Sequence, residues 1–241
     1  MEANNMPNHI HTIPVLDALR EPEHCAFCVM HKKLEQDAIL FIMGPAYMED
    51  DVRMETNRVG FCKRHMEHMY KNQNRLGLAL MLHTHVQQLN KDISSIVQDR
   101  TPVSFFGKDP NSALSKLKVH LAKTNSTCYV CNKVENTFER YIDTFFHIWS
   151  KGGEDAKLIS AQKGYCLPHF VQILTEAEKL GRRKREKFQD DILPAWQNLM
   201  QELEGDLDWF VQKFDFRNAD APWKNAKESV TRGISLLGSD I

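Results

Sequence analysis

Glycine and proline are scarce in this chain, at 11 and 9 of 241 residues, below the ~12% they usually make up together. That scarcity excludes collagen-like, low-complexity and disordered classes. An excess of charge of either sign is missing too: 31 Lys and Arg face 32 Asp and Glu. No global field draws the chain toward nucleic acid or an anionic membrane. Long apolar runs are absent, the longest being the six residues Ala38 to Met43, far short of the ~20 that a bilayer span needs. The start, Met1-Glu2-Ala3-Asn4-Asn5, has neither the basic region nor the apolar core of a secretory signal, so a cytoplasmic location and no membrane association are expected. No segment sustains strand alternation, and there is no Walker loop, dinucleotide-binding glycine fingerprint or nucleophile elbow. A chain of this length can still bury a sizeable core, in one large or two small domains.

Cysteine is present in six copies, none left over. They fall into two sets of three, each completed by a histidine: Cys25, Cys28, Cys62, His65 and Cys128, Cys131, Cys166, His169. Corresponding positions are offset by 103, 103, 104 and 104 residues, as an internal duplication requires. The surrounding words agree, since Gly60-Phe61-Cys62-x-x-His65 answers Gly164-Tyr165-Cys166-x-x-His169. Reduced thiols in a cytoplasmic chain favour metal ligation over disulfides. Three thiolates and a neutral imidazole form a tetrahedral set typical of structural zinc, which predicts two Zn ions per chain. Iron–sulfur ligation is the alternative.

The spacing also predicts an architecture. Between Cys28 and Cys62 lie 33 residues, too many for a compact finger of ~12 to 20. A helix hairpin fits instead, turning at Gly44-Pro45 and, in the second copy, near Trp149 with Gly152-Gly153 just beyond. Two helices of roughly 14 residues would run out and come back beside their starting point, closing one site per repeat. Ligands three residues apart suit helix starts, where the dipole favours thiolate. The expected fold is all-α: a first helical unit over 1–98, a linker over 99–111 with Phe105 and Phe106 docking on a unit, a second unit over 112–216, and a tail over 217–241 ending in a short helix near Lys227 to Leu237. Leu76 onward reads as a long amphipathic helix, and Phe188 to Phe214 as another, with Pro194 inside it.

The words from Tyr47 through Asn57 (YMEDDVRMETN), Gly60-Phe61-Cys62 and Asn74 through His85 (NRLGLALMLHTH) resemble a bacterial family of uncharacterised function. Its members carry the duplicated CxxC and G[FY]CxxH pattern over nearly the whole chain, and Pro222-Trp223 is similar as well. The resemblance implies the same helical architecture and ligand set, and no established activity. Some members are labelled transporter substrate-binding proteins, a role for which this chain lacks a leader or an early lipoprotein cysteine.

Other constellations read as structural. His83 and His85 point ~200° apart on a helix, and His24 and His68 read as surface groups or as donors to a thiolate. The acids Glu49, Asp50, Asp51 and Glu55 read as a solvated helix start, since they lack the Glu-x-x-His of carboxylate metal sites. The basic run Arg182-Arg183-Lys184-Arg185 through Lys187 has no interleaved aromatics, so nucleic-acid binding there is a third reading. The leading one is a non-enzymatic zinc scaffold that binds a protein or small-molecule ligand. The second is a redox- or metal-responsive sensor, or an enzyme, using metal-bound thiolates.

Overall fold

A computed structural model describes residues 9–21, 25–99 and 112–238. Among them there are eleven α-helices and no strand. In chain order the helices are α1 (His9–Leu19), α2 (Ala26–Met43), α3 (Asp50–Val59), α4 (Lys63–Lys71), α5 (Arg75–Gln98), α6 (Ala113–Asn125), α7 (Tyr129–Lys151), α8 (Glu154–Ser160), α9 (Leu167–Ala177), α10 (Arg182–Gln212) and α11 (Ser229–Gly238). Short 3-10 turns follow α2 at Pro45–Met48 and precede α11. No helix among the described residues is long and apolar enough to cross a membrane. The expected linker over 99–111, with Phe105 and Phe106, lies almost wholly outside the described residues, as does His24.

The chain forms two compact units, but not in sequence order. One is continuous, Leu34–Asn136, and the other is split, Met1–Lys33 with Thr137–Ile241. Both divisions fall inside a helix, in α2 and in α7. These units differ from sequential halves at 1–98 and 112–216.

The continuous unit packs α3 and α4 on α5, and α5 on α6. Its core joins Ile39, Ile42 and Met43 from the end of α2 to Phe61, Met69, Met81 and Val130. Asn74 organises the start of α5: its side chain accepts from the Gly77 N–H and donates to the Met43 carbonyl, at 3.0 and 2.8 Å. One residue thus caps a helix and ties it to the previous turn.

The split unit has an aromatic core. Phe27 lies edge-on to Phe138, Phe145 and Tyr165 at centroid distances of 5.9, 5.1 and 5.5 Å. Phe188 from α10 meets Phe146 and Trp149, both at 5.0 Å. Such edge-to-face pairs add stabilisation beyond their buried area. The tail is held by Lys213, a buried ammonium donating to the carbonyls of Asn218, Ala219 and Ala221 at 2.6 to 2.8 Å. Three acceptors offset the cost of burying that charge. The expected late helix is α11, packed on α10 and α9.

Candidate metal centres

All four ligand pairs stand at helix starts, as their three-residue spacing predicts. Cys25, Cys62, Cys128 and Cys166 each precede a helix and offer the carbonyl that accepts its first backbone hydrogen bond, from Val29, Met66, Asn132 and Phe170 respectively. Cys28, His65, Cys131 and His169 follow within the first turn. The positive end of each helix dipole therefore faces sulfur.

The grouping departs from the expectation that each repeat closes its own site. The structure brings Cys25 and Cys28 together with Cys166 and His169, and Cys62 and His65 together with Cys128 and Cys131. The repeats exchange their ligand pairs. Helix lengths give the physical reason. Helix α2 runs 18 residues, ~27 Å, whereas its return helix α3 has 10, ~15 Å. In the second repeat α7 has 23 residues and α8 only 7. Neither return is long enough to retrace its outward helix. Instead, in the continuous unit, the Tyr129 N–H donates to the Gly60 carbonyl at 2.9 Å, and the Thr127 hydroxyl to that of Val59 at 2.8 Å. Those bonds seat the start of α7 beside the loop that carries Cys62.

Each cluster lies within one unit. In the split unit, Cys28 Sγ is 3.6 Å from Cys166 Sγ, and His169 Nδ1 is 3.7, 3.3 and 3.0 Å from Cys25, Cys28 and Cys166. In the continuous unit, Cys62 Sγ is 3.9 Å from Cys131 Sγ, and His65 Nδ1 is 3.2, 3.2 and 3.3 Å from Cys62, Cys128 and Cys131. A tetrahedral zinc with bonds of ~2.3 Å to sulfur and ~2.0 Å to nitrogen has S–S edges of about 3.8 Å and S–N edges of about 3.5 Å. The two S–S distances lie close to that edge, and the S–N distances run from 3.0 to 3.7 Å, five of the six being shorter than the ideal. They are far longer than a disulfide's ~2.05 Å, and all six cysteines are free.

Crowding and burial shift the titration of these groups. The Cys25 thiol is pushed up to about 11 by its hydrogen bond with Cys166 and by burial, against an opposing bond from Cys28. Cys166 also sits near 11, its bond from Cys25 lowering it while Cys28 and burial raise it further. Burial, then the neighbouring Cys128 and Cys62, carry Cys131 to about 12. Burial holds His169 down to about 4, with a smaller push from His31, and lowers His65 as well. Burial and neighbouring sulfur thus disfavour the charged forms of Cys25, Cys166 and Cys131, the cost that a bound cation would offset.

Both glycines of the repeated word serve packing at these loops. Gly60 has φ +65°, and a Cβ there would come 2.6 Å from the His85 ring. The Nδ1 atom of that ring is 2.8 Å from the Asn57 carbonyl, which gives His85 a structural role, while His83 is exposed. A Cβ on Gly164 would overlap Leu199.

His68, read as a surface group or as a donor to a thiolate, is partly exposed and lies 4.0 Å from the Glu35 carboxylate. The residue that spacing did not single out is Glu35 itself: its Oε1 is 2.8 Å from His65 Nε2 and 3.1 Å from the Arg64 guanidinium. Its position two turns after Cys28, on the ligand-bearing face of α2, was the available signal. The acids at the start of α3 form no shared site: Asp51 accepts from the Val52 N–H and Glu55 pairs with Arg58. The basic run opens α10, with Arg182 bonded to Glu186 at 2.9 Å.

Residues 6–241 match a family model described as "Family of unknown function (DUF6062)". The chain belongs to that family. No curated protein and no solved structure matches it.

Proposed function

We propose that the two clusters are structural zinc centres, and that this member of the family is a non-enzymatic helical scaffold whose role is to bind a protein or small-molecule partner in the cytoplasm. The observation that carries the metal reading is the agreement of both sets of ligand distances with one tetrahedral ion each. Closed four-ligand sites hold no position for a reacting water, which favours folding over catalysis as the metal's role. A small ligand has a candidate seat in a cleft of about 350 Å³ in the continuous unit, with Asn57, Arg58, Gln88, Asp92, His120 and Lys123 on its walls.

A redox-responsive role is the second reading, favoured by the partial exposure of Cys25, Cys62 and Cys131. Mild peroxide should then release metal and form disulfides. Binding of nucleic acid through 182–187 is the third, and it requires a salt-dependent complex that Arg182→Ala with Arg183→Ala weakens.

Elemental analysis with an absorption spectrum, on protein purified without added metal, tests the primary reading. It should give two zinc ions per chain and no visible band. Iron with a sulfur-to-iron band would replace it with electron transfer or sensing, and a folded chain without metal would end it.

A further inference from the structure

The two centres are built from duplicated sequence, yet one position beside the histidine differs in kind. The CxxC offset of 103 residues places Phe138 where the first repeat has Glu35. The CxxH offset of 104 places Pro168 at Arg64 and Leu167 at Lys63. Glu35 and Phe138 each meet the histidine of their own repeat. In the continuous unit Glu35 accepts from the outer nitrogen of His65 at 2.8 Å, and Arg64 holds the same oxygen at 3.1 Å. In the split unit the equivalent slot holds a phenyl ring: the His169 imidazole lies 5.7 Å from Phe138 and 5.8 Å from Phe27. Among the described residues, no carboxylate is bonded to His169.

This difference acts on metal binding through the ring. A carboxylate taking the Nε2 proton fixes the tautomer that leaves the Nδ1 lone pair toward the three sulfurs. It also makes the imidazole a stronger donor and adds negative charge toward the cation. Aromatic walls provide none of these effects. The split unit's centre is also deeply buried, with Cys28, Cys166 and His169 each under 5% exposed.

We infer that Glu35 is a positioning residue for His65 and makes the two centres unequal, the continuous unit's centre binding its ion the more tightly. The inference rests on the metal reading above. Removing an outer-shell carboxylate of this kind typically costs 10–100-fold in affinity, so the centres should fill in sequence.

The test is partial loading. Metal-free full-length protein receives one equivalent of zinc per chain, then a brief pulse of iodoacetamide, and the alkylation of each cysteine is read by peptide mass mapping against the metal-free sample. In the wild type, Cys62, Cys128 and Cys131 should be protected first, while Cys25, Cys28 and Cys166 stay as reactive as without metal. Glu35→Gln should still take two ions at saturation but lose that order, its continuous-unit centre weakened about 10–100-fold in chelator competition. A wild type that fills the split unit first, or both together, overturns the inference. So does a Glu35→Gln protein with the wild-type order. Absence of protection at two equivalents would remove the metal reading itself, and this inference with it.

Discussion

Stripping the metal from this protein should abolish its ordered core. Structural zinc contributes ~10 to 16 kcal/mol in small zinc domains, comparable to or larger than the ~5 to 15 kcal/mol by which a whole domain is stable. Neither unit can lose that and keep its packing. In the split unit His169 sits against Phe27 and Phe138, so releasing the ion frees a helix that carries part of the aromatic core. In the continuous unit Cys128 belongs to the core itself, with Cys62 and Cys131 packed against it. A strong chelator should therefore erase the near-ultraviolet signal of the clustered aromatics while part of the helical signal persists, as in molten-globule states. The cooperative melting transition should disappear with it. An unchanged near-ultraviolet spectrum after quantitative metal removal would contradict a structural role.

Acid should release both ions steeply. Zinc binds thiolate, whereas cysteine in an unfolded chain is protonated at neutral pH, and in the packed clusters burial and neighbouring sulfur carry Cys25 and Cys166 to about 11 and Cys131 to about 12. Each ion bound near pH 7 therefore expels about three protons. Its apparent affinity should fall by about 1000-fold for each unit that pH drops. The histidines set the sign of a second effect. Burial in the folded protein lowers His169 from 6.5 to about 4, so between those values an unfolded chain takes up a proton that the folded one refuses. Stability consequently declines as pH falls through that window, because the unfolded state binds more protons there. Calorimetric zinc titrations in buffers of different ionisation enthalpy count the protons directly. About three per ion at pH 7 agrees with full thiolate ligation; a count near zero would contradict it.

Much of the centre was legible from residue spacing, because ligand chemistry is local. A thiolate pair three residues apart needs a helix start, and the four pairs stand at the starts of α2, α4, α7 and α9. The turns were legible for the same reason. Gly44-Pro45 ends α2, and Gly152 and Gly153, at φ +74° and +85°, end α7. Grouping was not legible, because it depends on how far each return helix reaches. The return segment itself was legible over Tyr47 to Arg58, against an observed α3 of Asp50–Val59, but not which CxxC pair its end would meet. A matched offset between repeats is equally compatible with closure within a repeat and exchange between them. The boundaries of the compact units follow that exchange and were hidden with it. Glu35 was missed because one carboxylate on a charged helix has no pattern of its own. It becomes visible only when His65 is seen to present its second nitrogen.

Metal content in two double variants tests the paired centres most directly. Cys28→Ser with His169→Ala damages one cluster of this structure, and Cys28→Ser with His65→Ala damages both. The structure predicts one zinc ion per chain in the first protein and none in the second. One ion retained in the Cys28→Ser, His65→Ala protein and none in its counterpart would restore closure within each repeat and contradict the exchanged centres.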